Sequence, residues 1–258
     1  MSRWTALLLA GSRPGADPFA ASHGTDLKAL IPLGGRPLVV WPAAALLAAL
    51  EVGRVRVLTG AYWNDFNASL GAATLRRDAV WTNQAVQLTD AINGQFGAVV
   101  LDGIEAGPAV SGFTAKFNAT LGPTSNAPAD GLSFSVGDLG TDAWAEAGPP
   151  TSHHLSIGFD TFENFVGIPE AIGIHLWVNG THVAYNATNP YTNGVAVPVE
   201  VSYDTTTGVT VRFNGAVIFN NVAAPGFSFQ PGDRFGFGGR TGGFNERNVV
   251  DDVEIITR

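Results

Sequence analysis

Past Gly60 the sequence breaks into short runs in which apolar and polar residues alternate, separated by turn residues. Alternation with a period of two predicts β-strands that have one buried and one exposed face. Asn-Gly at 179–180 and 214–215, and Thr-Gly at 207–208, are typical of tight hairpins. The runs expected to form strands are 85–88, 113–117, 132–136, 173–178, 182–185, 197–203, 209–213, 216–219, 234–237 and 253–256. Ten or more short strands without helices predict a mainly β fold, a β-sandwich or jelly roll.

Charge and composition exclude several classes of function. The net charge is −8, with six Lys/Arg against three Asp/Glu in residues 1–60 and eight against nineteen in residues 61–258. This acidic body argues against nucleic acid as the main partner. No apolar run is long enough to span a bilayer, and the lack of cysteine excludes disulfides and thiolate metal sites. Residues 4–10 have the outline of a short signal peptide, but we favour a buried strand there.

Residues 1–60 have a different character and predict a short βαβ segment. The apolar run 5–10 leads into a Gly-rich loop at 11–15, which is a common way to present backbone N–H groups to a phosphate. Residues 38–50 are rich in Ala and Leu and predict a helix, and 52–58 predict a second strand. This is the opening of a doubly wound, Rossmann-like domain. We therefore expect two domains, a truncated βαβ segment at 1–60 and a β-sandwich at 61–258.

Two parts of that segment resemble the start of the MobA-like nucleotidyltransferases: Leu8-Leu-Ala-Gly-Ser-Arg13 and Lys28-Ala-Leu-Ile-Pro-Leu-Gly-Gly-Arg-Pro-Leu38. The resemblance implies a site for a nucleoside triphosphate and Mg²⁺, with Gly11, Ser12, Arg13, Gly15 and Lys28 holding the nucleotide. The family also needs an Asp at the end of a later strand, for which Asp102 is the only candidate. Because the further βα units are missing, we expect this nucleotide site to be vestigial.

The run 155–164 carries the chemistry that points most directly to a ligand. If it forms one strand, Gly158, Asp160, Phe162 and Asn164 share a face, because side chains at a spacing of two point the same way. A carboxylate, an aromatic ring and a carboxamide suit a sugar, since hydroxyls bind Asp and Asn while the C–H face of a sugar ring packs on an aromatic. A sheet that has one polar face and no ligand would show the same pattern.

Four segments together resemble the concanavalin A-like lectin/glucanase superfamily, and above all its legume-type (L-type) lectins. They are Ala129-Asp-Gly-Leu-Ser-Phe134, Ile157-Gly-Phe-Asp-Thr-Phe-Glu-Asn164, Arg234-Phe-Gly-Phe-Gly-Gly-Arg-Thr-Gly-Gly243 and Val250-Asp-Asp-Val-Glu-Ile255. The resemblance implies a jelly-roll β-sandwich over residues 61–258 and carbohydrate as the partner. It implies that Asp130 binds sugar hydroxyls, that Phe162 stacks on the sugar, and that Asp160 and Asn164 hold Ca²⁺ while Asn164 also touches the sugar.

This chain departs from the legume pattern at three places. Gly158 stands where that pattern has Glu, Ile168 stands where it has Asp, and residues 170–173 lack its His. We therefore expect no transition-metal site and only a weak Ca²⁺ site. Gly158 also occupies the nucleophile position of the glucanases, whose pattern continues here through Asp160 and Glu163. Retaining hydrolysis needs two carboxyl groups, so we expect a carbohydrate-binding module without catalytic residues.

Two other functions stay open from the sequence: a nucleotidyltransferase with a divergent second half, and a structural or adhesive sandwich without a ligand. A lectin-like domain suggests an extracellular location, whereas a nucleotidyltransferase suggests the cytoplasm.

Arg240 and Asn245 lie in a Gly-rich stretch that predicts a turn, with the rim of a ligand site as the alternative.

Overall fold

The structure, a computed structural model, describes residues 4–9, 32–33, 36–37, 52–58 and 60–258, apart from 108, 109 and 168. Contacts divide the chain into two compact units, Met1–Ala61 with Ile256–Arg258, and Tyr62–Ile255. The strands are β1 (Trp4–Leu9), β2 (Pro32–Leu33), β3 (Arg36–Pro37), β4 (Val52–Leu58), β5 (Gly60–Asn64), β6 (Ala73–Arg77), β7 (Val80–Thr82), β8 (Ala85–Thr89), β9 (Phe96–Ala106), β10 (Gly112–Leu121), β11 (Gly131–Gly137), β12 (His154–Asp160), β13 (Gly173–Val178), β14 (Thr181–Asn186), β15 (Val197–Asp204), β16 (Gly208–Phe213), β17 (Ala216–Val222), β18 (Asp233–Arg240) and β19 (Asn248–Thr257).

The first unit contains a pair of parallel strands. β1 and β4 pair from Thr5 opposite Arg54 to Leu9 opposite Leu58, and β2 pairs with β3 in antiparallel fashion. β1 and β4 lie where the sequence predicts the two strands of the βαβ segment. The predicted helix at 38–50 lies outside the described residues, and so do Gly11, Ser12, Arg13, Gly15 and Lys28. The complete βαβ segment therefore stays a prediction.

The second unit is the predicted β-sandwich, built from two antiparallel sheets. In the eight-stranded sheet the order is β17-β16-β15-β10-β19-β8-β7, with β5 paired beside β19. In the seven-stranded sheet the order is β14-β13-β12-β11-β18-β9-β6. Each of the ten predicted runs falls on a strand, so the prediction of a mainly β fold is confirmed for this unit. Among the described residues, no helix has the length and apolarity that crossing a membrane would require.

Phenylalanine rings from both sheets form the centre of the core. Phe113 and Phe117 on β10 are buried against Phe134 on β11 and Phe235 and Phe237 on β18. The ring centroids lie 4.8 Å apart for Phe117 and Phe237 and 5.3 Å apart for Phe113 and Phe235. Because Phe235 and Phe237 are two positions apart on β18 and point into the core, Gly236 and Gly238 point to the opposite face of the seven-stranded sheet.

That opposite face is covered at its centre by the segment between β11 and β12. Trp144 in this segment is 1% exposed. A Cβ atom at Gly236 or Gly238 would approach the Trp144 indole to 2.9 Å or 2.4 Å, so only glycine lets the indole lie against β18. The Ser133 hydroxyl donates a hydrogen bond to the carbonyl of Ala145 at 2.7 Å. β11 and β12 are consequently buried on both faces, although their alternating sequences predict one exposed face.

The predicted Asn-Gly hairpins are confirmed. Asn179 and Gly180 join β13 to β14 with φ values of 52° and 75°, and Asn214 and Gly215 join β16 to β17 with values of 47° and 80°. Asn and Gly tolerate this left-handed conformation better than other residues, which explains why the two-residue turns use them.

Candidate functional site

One row across three neighbouring strands brings the predicted site residues together. Gly131, the first residue of β11, pairs with Asp160 at the end of β12 and with Arg240 at the end of β18. Asp130 precedes Gly131, and its backbone N–H donates to the carbonyl of Arg240 at 3.0 Å. Gly131 has a φ of 123°, and a Cβ there would lie 2.0 Å from the carbonyl oxygen of Phe159. The row therefore requires glycine at 131.

The prediction that one strand face carries Asp160, Phe162 and Asn164 is wrong beyond Asp160, because β12 ends there. The Asp160 carboxylate accepts a hydrogen bond from the backbone N–H of Phe162 at 2.9 Å, which closes a local turn. Thr161 then donates from its hydroxyl to Glu246 at 2.8 Å. Phe162 and Asn164 consequently lie in the loop after the strand.

Aromatic rings and an unsatisfied amide mark this loop as a candidate contact surface. The rings of Phe162 and Phe244 lie 5.2 Å apart at an angle of 44°, and Phe244 is 42% exposed. The Nδ2 atom of Asn164 is buried and has no hydrogen-bond partner among the described residues. A buried donor without a partner costs free energy, and an oxygen atom of a ligand would satisfy it.

Asp130 is a buried carboxylate with open space on one side. Its side chain is 5% exposed, and its Oδ2 accepts a hydrogen bond from the Nε of Arg240 at 2.8 Å. A Cβ at Gly242 would lie 3.4 Å from Oδ2 and 3.8 Å from Oδ1. The lack of a side chain at position 242 therefore leaves room beside the carboxylate for a ligand hydroxyl.

Two further carboxyl groups, Glu146 and Glu246, which the sequence does not single out, lie near Asp130. Burial raises the pKa of Glu146 to about 7 and that of Glu246 to about 8, because desolvation penalises the charged form. Burial likewise raises the pKa of Asp160 to about 8, and the neighbouring carboxylates add to the shift. Neither Glu146 nor Glu246 belongs to a recognisable motif, so no local sequence signal would have identified them.

The raised pKa of Glu246 predicts that the free energy of unfolding falls as the pH rises from about 4.5 to about 8. The group releases its proton near pH 4.5 when unfolded and only near pH 8 when folded, so the free energy of unfolding decreases as pH rises between these values. We expect the thermal unfolding midpoint to fall as the pH is raised from about 5 to about 8, and Glu246→Gln to flatten that fall. Thermal unfolding scans of both proteins in EDTA measure this pH dependence. An equal change of midpoint with pH in the wild type and Glu246→Gln would contradict the prediction.

The described residues show no cluster of acidic side chains and histidines that could hold a metal ion at Asp160 and Asn164, where the resemblance implies Ca²⁺. A cavity of ≈ 10 Å³ is lined by Glu146, Asp160, Glu170 and His175, among others. However, His175 has both ring nitrogens engaged, Nε2 with the carbonyl of Ala171 and Nδ1 with His182. Within the described part of the chain, no three His, Asp or Glu side chains are arranged to hold a metal ion. Carboxylate and imidazole side chains alone therefore form no cation site in the described part of the chain, and Oδ1 of Asp160 already accepts the N–H of Phe162.

The acidic residues of the glucanase pattern do not form a pair on the strand. A Cβ at Gly158 would lie 2.3 Å from the carbonyl oxygen of Glu146, so the neighbouring segment fills the space of any side chain at 158. Glu163 is exposed in the loop after β12 and accepts a hydrogen bond from the backbone N–H of Gly167 at 3.1 Å.

Asp102, the candidate metal ligand of the nucleotidyltransferase resemblance, lies within β9 of the sandwich, where it accepts hydrogen bonds from Thr74 at 2.5 Å and Arg234 at 2.7 Å. β9 is antiparallel to both of its neighbours, so Asp102 does not end a strand of a parallel sheet. It lines a separate cavity of ≈ 630 Å³ on the outward face of the seven-stranded sheet.

Comparison with solved structures identifies the fold. The chain is similar to the lectin from Bauhinia forficata in complex with GalNAc (20% identity, 77% of this chain and 98% of that chain covered, TM-score 0.64). It is also similar to the metal-free form of lectin I-B4 from Griffonia simplicifolia (18% identity, 77% of this chain and 98% of that chain covered, TM-score 0.62). A third similar structure is the exoplasmic/lumenal domain of VIP36 with Ca²⁺ and Man3GlcNAc bound (13% identity, 77% of this chain and 88% of that chain covered, TM-score 0.58). The sandwich has the L-type lectin fold.

The L-type lectin fold confirms the architecture implied by the concanavalin A-like resemblance. At these sequence identities the likeness shows the fold alone, and the role of each site residue remains a separate question. A scan against models of known protein families finds no match for the sequence. A search of curated proteins finds none either.

Proposed function

We propose that the lectin-type sandwich binds carbohydrate without hydrolysing it, at the surface formed by Asp130, Phe162 and Asn164. The observation that carries this proposal is the position of Asp130: a buried carboxylate beside the bare backbone of Gly242, at the end of the sheet where β12 leads into the aromatic loop. Carboxylates accept hydrogen bonds from sugar hydroxyls, and aromatic rings pack against sugar C–H groups. Asn164 supplies a donor that lacks a partner among the described residues.

A neutral hexose or hexosamine is the ligand class that suits the charges. The described site has one cation, Arg240, whose guanidinium already donates hydrogen bonds to Asp130 and Glu146, so it is not free to bind the carboxylate of an acidic sugar. The Bauhinia lectin structure contains GalNAc, and VIP36 structures contain mannose. The VIP36 domain is exoplasmic or lumenal. For this chain an extracellular or lumenal location is part of the proposal.

A glycan array tests the proposal. The full chain, shown to be folded by its thermal transition, is applied in EDTA and again in CaCl2. Binding to neutral saccharides supports the proposal, and binding confined to CaCl2 would support the calcium assistance through Asp160 and Asn164 that the resemblance implies. Silence in both buffers would favour the alternative of a structural or adhesive sandwich without a ligand.

Phe162→Ala is expected to weaken binding of the best saccharide about tenfold, because an aromatic contact is worth about 1 kcal/mol beyond its buried area. Phe162→Tyr keeps the ring and is expected to bind within about twofold of the wild type. Isothermal titration calorimetry measures both variants. Equal affinities for wild type and Phe162→Ala would remove this ring from the site.

Nucleotide binding by residues 1–60 remains a second candidate, through Gly11, Ser12, Arg13, Gly15 and Lys28 with Mg²⁺. The observation that favours it is the parallel pairing of β1 with β4, which a βαβ unit requires. Titration with GTP or CTP in MgCl2 tests it, with Lys28→Ala as the comparison.

A further inference from the structure

Arg240 is the cation on which the carboxylates of the candidate site converge. Its Nε donates to Asp130 at 2.8 Å and its Nη2 donates to Glu146 at 3.3 Å. Both carboxylates are buried, with side-chain exposures of 5% and 9%, whereas the Arg240 side chain is 40% exposed. Burying two carboxyl groups together is costly unless a positive charge accompanies them.

Two features of the sequence place Arg240 and Glu146 there together. The pairing of β11 with β18 sets Arg240 opposite Gly131, directly beside Asp130. Gly158 leaves space for the Glu146 segment, since even a Cβ at 158 would clash with the Glu146 carbonyl. Glycine at 158, Glu146 and Arg240 therefore form one coupled arrangement, and glycine stands where the resemblance has a metal-binding Glu.

We propose that the Arg240 guanidinium organises the Asp130 and Glu146 carboxylates of this site, so that this pair of carboxylates is held without a metal ion. A guanidinium can donate to two carboxylates at once from a planar fork, which a single point charge does not match. Although burial opposes it, the neighbouring Glu146 and Asp130 carboxylates raise the pKa of Arg240 above its usual value. A divalent cation entering the same space would be repelled by the guanidinium.

Arg247 provides a matched control. Its Nη2 lies 2.9 Å from Asp90, and its side chain is 42% exposed, close to the value for Arg240. The difference lies in the partner, because Asp90 is 34% exposed and water solvates it when the arginine is removed. Exposed ion pairs contribute little to stability, whereas removing one partner of a buried carboxylate costs much more.

Thermal unfolding of the full chain at pH 7 tests the inference. We expect the wild-type midpoint in EDTA and in excess CaCl2 to agree within about 1 °C. We expect Arg240→Ala to lower it by about 10 °C and Arg247→Ala by about 2 °C or less, with Arg240→Lys in between because it keeps the charge but not the fork. Should Arg240→Ala fail to fold, the double variant Arg240→Ala/Glu146→Gln removes the cation together with one carboxylate. Its midpoint is expected to lie below that of the wild type, while the protein still folds.

Either of two results would overturn the inference: a rise of several degrees in the wild-type midpoint on adding CaCl2, or equal effects of Arg240→Ala and Arg247→Ala. The inference concerns the site named under the proposed function, but these readouts need no saccharide. A silent glycan array with the expected midpoints would therefore reject carbohydrate binding and leave the role of Arg240 standing. Saccharide binding together with a midpoint that rises in CaCl2 would reject the role of Arg240 and leave carbohydrate binding standing.

Discussion

Replacing Phe134 with alanine is expected to lower the free energy of unfolding by about 4 kcal/mol. Phe134 is fully buried on β11, and its ring lies 5.8 Å from Phe113, 5.7 Å from Phe117 and 5.4 Å from Phe237. Alanine would leave a cavity between the two sheets that close packing cannot refill. Urea denaturation of both proteins measures the loss.

Phe165→Ala is the matched control for Phe134→Ala. Phe165 is 75% exposed in the loop after β12, so the same chemical truncation is expected to change the free energy of unfolding by less than about 0.5 kcal/mol. If Phe134→Ala cost no more than Phe165→Ala, β11 would not lie between packed sheets and the sandwich would be wrong.

Gly158→Ala is expected to cost about 3 kcal/mol, because the new Cβ would lie 2.3 Å from the backbone carbonyl oxygen of Glu146. A backbone atom cannot rotate away as a flexible side chain does, and the adjacent carbonyl of Ala145 is held by the Ser133 hydroxyl. The Glu of the legume pattern at this position would meet the same obstacle. Gly158→Ala therefore tests whether the Glu146 segment lies against β12.

Gly243→Ala is the control for this substitution. A Cβ at Gly243 would meet no heavy atom within 4 Å, so we expect a change below about 0.5 kcal/mol in the same urea titration. A small effect at both glycines would place the Glu146 segment elsewhere, and the arrangement of Gly158, Glu146 and Arg240 would then be incorrect.

The strands of the sandwich could largely be predicted because alternation and Asn-Gly turns are local signals. Four strands of the sandwich were not among the predicted runs: β5, β6, β7 and β9. Of these, β6 (Ala73–Arg77) ends in two arginines, and β7 (Val80–Thr82) is only three residues long. The end of β12 also escaped. The apolar positions 155, 157 and 159 are not continued at 161 and 163, and the Asp160 carboxylate accepts the N–H of Phe162, which turns the chain.

The site could be predicted only where the resemblance supplied it. Asp130 and Asp160 are brought together, as expected, by the pairing of β11 with β12. Glu146 and Glu246 come from segments distant in sequence, and their raised pKa values arise from burial that only the folded chain creates. The involvement of Arg240 depends in the same way on the register between β11 and β18. Such tertiary relations have no local sequence signature.

A crystal structure of the chain with the saccharide that binds best on the array tests the central claim most directly. We expect the sugar ring to lie on Phe162, with a hydroxyl bound to the Asp130 carboxylate beside Gly242. A sugar found instead in the ≈ 630 Å³ cavity beside Asp102 and Arg234, with Asp130 and Phe162 untouched, would contradict the proposed site.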